Sequence, residues 1–147
     1  GILRLRWGLH TRVCIPGQTE IILFDWLIAQ KERTDVIAEV SLWPGGDAYD
    51  IRIMFRDNEV WAIDLKDYAN PVALARQIKS KSPPFFDPAL KFDHIFYVVP
   101  DYRTRLNPSY IRQLKQNLVP FAPNMDAVTV AALRKRVLRR IAEMEKN

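Results

Sequence analysis

Residues 49–66 run Tyr49-Asp50-Ile51-Arg52-Ile53-Met54-Phe55-Arg56-Asp57-Asn58-Glu59-Val60-Trp61-Ala62-Ile63-Asp64-Leu65-Lys66, and this stretch decides the fold. Ile51, Ile53 and Phe55 alternate with Arg52 and Met54, the period of a strand with one buried face. Asp57-Asn58 is a pair that favours a tight hairpin turn. Val60 to Lys66 is then a second strand, antiparallel to the first. Along it the same period puts Asp64 and Lys66 on one face, while Ile63 and Leu65 point the other way into apolar packing. A carboxylate and an ammonium at the end of an apolar strand are costly unless they are paired or used. The hairpin also brings Asp50, which opens the first strand, alongside them. Two carboxylates beside a lysine suit a hard divalent cation such as Mg2+, which prefers oxygen ligands. A metal held there polarises a phosphodiester and lowers the pKa of bound water, while the lysine orients that water or offsets developing charge. The competing reading is a structural Asp–Lys pair at a sheet end. An acid two residues before a lysine arises about once by chance at this composition, so the tripeptide acquires meaning only from the strands around it.

Outward from the hairpin, the pattern predicts a helix from Thr19, its N-cap, to about Arg33, with Glu20 in the first turn and Ile21, Phe24 and Ile28 at helical spacing. Val36 to Trp43 reads as a strand with Val36, Ala38, Val40 and Leu42 on one face. Pro44-Gly45-Gly46-Asp47 breaks it, as Pro16-Gly17 breaks the chain earlier. After the hairpin, Asn70-Pro71 is an N-cap followed by proline at the first helical position, for a helix that turns Val72, Ala75 and Ile78 inward. Ser82-Pro83-Pro84 ends that region, and His94 to Pro100 reads as a fully buried fourth strand. Asn107-Pro108 starts another helix carrying Ile111, Leu114 and Leu118. Pro120 and Pro123 interrupt, and Asp126 caps a last helix to about Met144. The order helix, three strands, helix, strand, helix, helix is that of an α/β fold: a mixed sheet with helices packed on it and a right-handed crossover between the third and fourth strands. One domain over residues 1–147 is expected, with a core of about 18–100 and a C-terminal helical extension of about 107–146.

Composition narrows the chemistry. At 147 residues and 48% apolar content the chain can fill one sizeable core. One Cys and two His exclude an internal disulfide framework and a Cys/His zinc site, and leave few candidates for a histidine triad. Any metal must therefore sit on carboxylates. A net charge of +5 allows a polyanionic partner without establishing one. Gly1 to Arg6 lacks the pattern of a secretory signal, and no run approaches the roughly 18 apolar residues that span a bilayer. A cytoplasmic location is the expectation, and the absence of an initiator Met leaves room for a trimmed chain or a domain of a longer protein.

Asp50, then Asp64-Leu65-Lys66 fourteen residues later, within a helix–three strands–helix–strand core at about residues 18–100, resembles the PD-(D/E)xK nuclease superfamily, which has the restriction-endonuclease-like fold. Tyr49 stands where the family name has Pro, a mild departure. The resemblance implies a metal-dependent endonuclease that hydrolyses DNA, with RNA left open. Asp50 and Asp64 would bind Mg2+, for which Mn2+ would substitute, and Lys66 would position or activate the attacking water. Members often add an acid from the first helix. Glu20 is the best match, and Asp25, Glu32 and Glu39 stay open as substitutes. The runs Asp50-Ile51-Arg52, Asp64 to Tyr68 and Phe96 to Pro100 are also similar to nuclease-fold domains that accompany prokaryotic PIWI-like proteins in anti-invader systems. The partners implied are DNA and either a second copy, since flush double-strand cutting needs two active sites, or a larger defence complex. The alternative reading is a catalytically inactive nuclease-fold module that binds nucleic acid or protein.

The last helix carries Arg134, Lys135, Arg136, Arg139 and Arg140 beside an apolar stripe of Val130, Leu133, Val137, Ile141 and Met144. Arg134, Lys135 and Arg139, with Arg103 and Arg105 after the fourth strand, are candidate phosphate contacts. A solvated or partner-docking face is the competing reading. Gly45-Gly46-Asp47 lacks the helix and Lys-Ser/Thr of a phosphate loop and reads as a turn. His94 reads as a strand-end histidine, Cys14 as inert and Gln77 as part of a solvated helix face.

Overall fold

A computed structural model describes residues 18–42, 50–80, 92–120 and 122–146. In chain order these form α1 (Gln18–Arg33), β1 (Ile37–Leu42), β2 (Ile51–Phe55), β3 (Val60–Leu65), α2 (Pro71–Ser80), β4 (His94–Val99), α3 (Asp101–Leu106), α4 (Tyr110–Leu118), β5 (Met125–Thr129) and α5 (Val130–Glu145). The expected turns at Pro16-Gly17, Pro44–Asp47 and Ser82–Pro84, and also Cys14, Trp43 and Tyr49, lie outside the described residues.

The hairpin is the one expected. β2 and β3 pair antiparallel with Ile51 opposite Ile63 and Ile53 opposite Trp61. The turn closes with the Asn58 amide donating to the Phe55 carbonyl at 2.8 Å, and Asn58 takes a φ of 71°, a region that asparagine tolerates better than most residues. Ile51, Ile53 and Phe55 are fully buried. Around this hairpin the sheet has the order β1-β2-β3-β4-β5. β1 pairs antiparallel with β2, whereas β3, β4 and β5 run parallel to one another. The α/β mixed sheet with C-terminal helices is thus present as expected. Parallel neighbours need a crossover, supplied by α2 between β3 and β4 and by α3 and α4 between β4 and β5.

One face of the sheet (Ile53, Ile63, Phe96, Val98) packs against Leu23 and Leu27 of α1 and Leu133 and Val137 of α5. The other (Ala62, Ile95, Tyr97, Val99, Ala127) packs against Leu74 and Ile78 of α2 and Tyr110 and Leu114 of α4. Both faces are covered, as a largely parallel sheet requires.

Five readings need correction. Residues 125–129 are a strand, not part of a helical extension, and the last helix is capped by Thr129, whose hydroxyl accepts from the Ala132 amide at 3.2 Å, rather than by Asp126. A six-residue helix, α3, precedes the expected one, which starts at Tyr110 beyond Asn107-Pro108. The β1 alternation fails at a bulge between Ile37 and Glu39. The extra residue leaves Ala38 exposed and buries Val36, Ile37 and Val40 instead. On α2, Val72 is exposed and Leu74 takes the inward place, because the Asn70 carboxamide capping the Val72 amide at 2.8 Å sets where the first turn begins. On α1, Thr19 lies inside the helix and Ile21 faces solvent, while Leu23, Leu27 and Gln30 form the buried stripe.

That stripe gives a direct test. Leu27→Ala should destabilise the fold by about 2–4 kcal/mol, whereas Ile21→Ala should change it by no more than about 0.5 kcal/mol. Equal midpoints in urea unfolding for the two variants would contradict the packing of α1.

Candidate active site

The site begins where the β2–β3 ladder ends. The Asp50 amide still donates to the Ile63 carbonyl at 2.8 Å. One pleat further on, the Leu65 amide donates to the Asp50 carboxylate at 2.7 Å, so a side chain takes the place of the next backbone acceptor. On the other side of β3 the Lys66 amide donates to the Val98 carbonyl at 2.8 Å. The tripeptide Asp64-Leu65-Lys66 is therefore gripped from both neighbouring strands. A charge-assisted bond of this kind contributes on the order of 2 kcal/mol and fixes Asp50 beside the tripeptide.

Asp64 is 7% exposed, one of two buried polar side chains among the described residues. Lys66 Nζ lies 3.4 Å from Asp64 Oδ1. That is longer than the about 2.8 Å of a strong charged hydrogen bond, so the ammonium offsets the buried charge without being locked onto it. Tyr97 stands opposite Asp64 in the β3–β4 register. Burial, and then the Asp64 charge, push its hydroxyl up to about 12, so Tyr97 stays a neutral wall.

The parallel strands β3 and β4 end at this edge, and α2 and α3 begin there. α1 runs back along β1, which delivers its first turn to the same edge. Glu20 extends the buried Leu23–Leu27–Gln30 stripe by one turn, at the i−3 position from Leu23. Its carboxyl is pushed up to about 7, first by burial and then by the negative charges of Asp50 and Asp64, against the pull of Lys66. The structure thus brings Glu20, Asp50, Asp64 and Lys66 within electrostatic reach of one another. The rival first-helix acids Asp25 and Glu32 are exposed, and Glu39 is engaged with Arg52 at 3.2 Å.

Three carboxylates against one ammonium leave two negative charges in excess when all are ionised, which suits a divalent cation. No three His, Cys, Asp or Glu side chains among the described residues stand close enough to cage an ion on their own. This donor set fits Mg2+, which keeps several waters and takes one or two carboxylates plus substrate oxygens.

Sequence reasoning missed the element behind Lys66. Asp67 accepts from the Tyr102 hydroxyl at 2.6 Å and from Arg103 Nε at 2.7 Å, tying the end of β3 to α3. Burial pulls the Asp67 carboxyl up, but these two bonds outweigh it and hold it below the usual range. The fully buried Tyr110 adds a bond from its hydroxyl to the Tyr68 carbonyl at 2.5 Å. Asp67 adjoins the tripeptide in sequence, but its partners 35 and 36 positions away carry no local signal.

The five candidate phosphate contacts separate. Arg103 is held on Asp67 and lies over the Tyr102 ring at 4.8 Å. Arg134 lies over Trp26 at 5.2 Å with its Nε buried, so it packs α5 onto α1 rather than facing a ligand. Arg105, Lys135 and Arg139 are exposed. Of these, Arg105 lies on α3, which begins where β4 ends, while Arg139 is well along α5, which runs away from that edge of the sheet at ~1.5 Å per residue. Arg136 and Arg140 are bound to Asp126 and Asp57. His94, paired with Glu59 at 3.6 Å, sits at the opposite end of the sheet, as its reading as a strand-end histidine expects. Gln77, expected on a solvated helix face, is instead half-buried on α2, and its Oε1 is buried without a hydrogen-bond partner among the described residues. No helix among the described residues is long and apolar enough to cross a membrane.

The family model described as "REase associating with pPIWI_RE" matches residues 17–145. No curated protein and no solved structure matches the chain.

The Glu20 environment has a pH signature. Its pKa is raised by folding from 4.5 to about 7, so the protonated form is the one the fold favours. The associated stability is present below pH 4.5 and lost as pH climbs through about 7. In metal-free buffer at pH 8, Glu20→Gln should therefore raise the melting temperature by a few degrees, about 1 kcal/mol after solvent screening. The gain should vanish by pH 4.5, and added Mn2+ should stabilise the wild type more than the variant. A gain independent of pH would contradict the crowding of carboxylates.

Proposed function

Because the chain belongs to the family of restriction-endonuclease domains associating with pPIWI_RE proteins, we propose that it is a metal-dependent endonuclease that hydrolyses DNA phosphodiester bonds beside such a protein, in a prokaryotic defence or restriction-type system. The observation that carries this reading is the Asp50 carboxylate fixed on the Leu65 amide and Lys66 standing 3.4 Å from the buried Asp64, with Glu20 within electrostatic reach of all three. Asp50 and Asp64 would hold Mg2+, or Mn2+ in its place, with Glu20 as the third acid. When bound, the cation supplies charge neutralisation at the scissile phosphate and acidifies a water ligand. Lys66, held 3.4 Å from Asp64, orients the attacking water and offsets the charge that develops on the phosphoryl oxygens. Asp50, anchored on the Leu65 amide, keeps its carboxylate in place without reorganisation. The Asp67 clasp on Tyr102 and Arg103 stiffens the backbone immediately after Lys66. A double-strand cut would need a second active site, hence a second copy or a larger assembly with the pPIWI_RE partner.

The test is cleavage of plasmid and linear DNA with Mg2+ or Mn2+, by the chain alone and together with its pPIWI_RE partner. Asp64→Ala and Lys66→Ala should each lower the rate by about 100-fold or more, and chelation should abolish it. Activity unchanged in both variants would overturn the assignment. Salt-sensitive DNA binding with no cleavage under either condition would mark the chain as an inactive nuclease-fold module.

A further inference from the structure

A groove of about 600 Å3 opens between the start of α2 and α4, at the edge of the sheet where Lys66 lies. Its apolar surface is Ala69, Pro71 and Val72, and its polar surface is four carboxamides, Asn70, Asn107, Gln113 and Asn117. No charged side chain among the described residues lines it. The groove thus offers no opposite charge to a phosphate or cation and matches the pattern of a site for a neutral, flat, hydrogen-bonding group.

The carboxamides are oriented by the protein. Asn107 Nδ2 donates to Gln113 Oε1 at 3.1 Å, and Asn107 Oδ1 accepts from the Ser109 amide at 3.1 Å. Asn117 Nδ2 donates to the Gln113 carbonyl at 2.8 Å. Asn70 Oδ1 caps the Val72 and Ala73 amides. What these bonds leave without a partner among the described residues is the Gln113 and Asn70 amino groups and the Asn117 carbonyl oxygen. Gln113 and Asn117 are one helical turn apart, so a fixed donor stands beside a fixed acceptor. Base edges present the complementary pair, an amino group beside a ring acceptor in adenine for instance.

We infer that this groove receives an unpaired base of the DNA strand being cut. The inference rests on the nuclease reading for the strand's identity and adds to it a specificity site. The chain from Lys66 to Asn70 spans no more than about 14 Å, so the groove lies near the strand segment that reaches Lys66. Tyr110, whose hydroxyl holds the Tyr68 carbonyl at 2.5 Å, joins the groove wall to the catalytic strand.

The test is fluorescence anisotropy in metal-free buffer with a labelled single-stranded deoxyoligonucleotide and the same strand made abasic. Wild-type protein should bind the base-bearing strand about tenfold more tightly. Gln113→Ala/Asn117→Ala should remove that preference, and so should the single Asn117→Leu, which keeps the side-chain volume on α4 and serves where the double variant melts early. Equal affinity for the two strands in the wild type, or a preference that survives in a folded variant, overturns the inference. Mn2+-dependent cleavage of the base-bearing strand, with Asp64→Ala as control, is read separately. A base preference with no cleavage either alone or with the pPIWI_RE partner keeps the groove and removes the nuclease reading, whereas cleavage without a base preference does the reverse.

Discussion

The site depends on one hydrogen bond, from the Leu65 amide to the Asp50 carboxylate at 2.7 Å. An antiparallel ladder that stops abruptly leaves an amide facing a neighbour that no longer offers a carbonyl. Here Asp50, the residue just before β2, satisfies that amide with its side chain, so the end of the ladder becomes a carboxylate fixed beside Asp64-Leu65-Lys66. The Val98 carbonyl holds Lys66 from the other side. The architecture follows from that arrangement. Three parallel strands, β3, β4 and β5, end at one edge, the natural place for a ligand in an open α/β sheet. The same edge receives the first turns of α1, α2, α3 and α5.

Electrostatics at this edge is unbalanced by design of the sequence. Asp64 is buried with the Lys66 ammonium 3.4 Å away, and Glu20 is brought in despite burial and two like charges that raise its pKa to about 7. A sheet end that served only stability would exchange these groups for apolar ones at a gain, since buried ion pairs seldom outdo well-packed hydrophobic residues. The rest of the charged surface behaves differently. Arg136 and Arg140 meet carboxylates, and Arg134 stacks on Trp26. Much of the basic excess on α5 is thereby absorbed within the fold, which leaves Lys135 and Arg139 of that helix exposed.

Much of this was legible in the sequence, for physical reasons that also explain the misses. The β2–β3 hairpin has unbroken alternation and a turn at Asp57-Asn58, so its register and the shared face of Asp64 and Lys66 followed directly. β1 was misread because a bulge adds a residue and inverts the alternation. β5 was missed because Met125–Thr129 is short, lies just after Pro123 and contains Asp126, which looks like a cap but instead binds Lys115 and Arg136. α3 buries no residue at all and so carries no periodic signal. The resemblance singles out Glu20, and the local sequence carries its orientation too: a stripe taken through Leu23 and Leu27, rather than Ile21 and Phe24, carries Glu20 to the sheet. The Asp67–Tyr102–Arg103 clasp depends on chain segments that meet only in the fold.

The divalent-cation site proposed at Asp50 and Asp64 is tested most directly by anomalous scattering from crystals soaked in Mn2+. A manganese peak contacted by carboxylate oxygens of both Asp50 and Asp64, absent in crystals of Asp64→Ala, is the expected result. Manganese bound elsewhere in the fold, or no peak between these two side chains in well-ordered crystals, would contradict it.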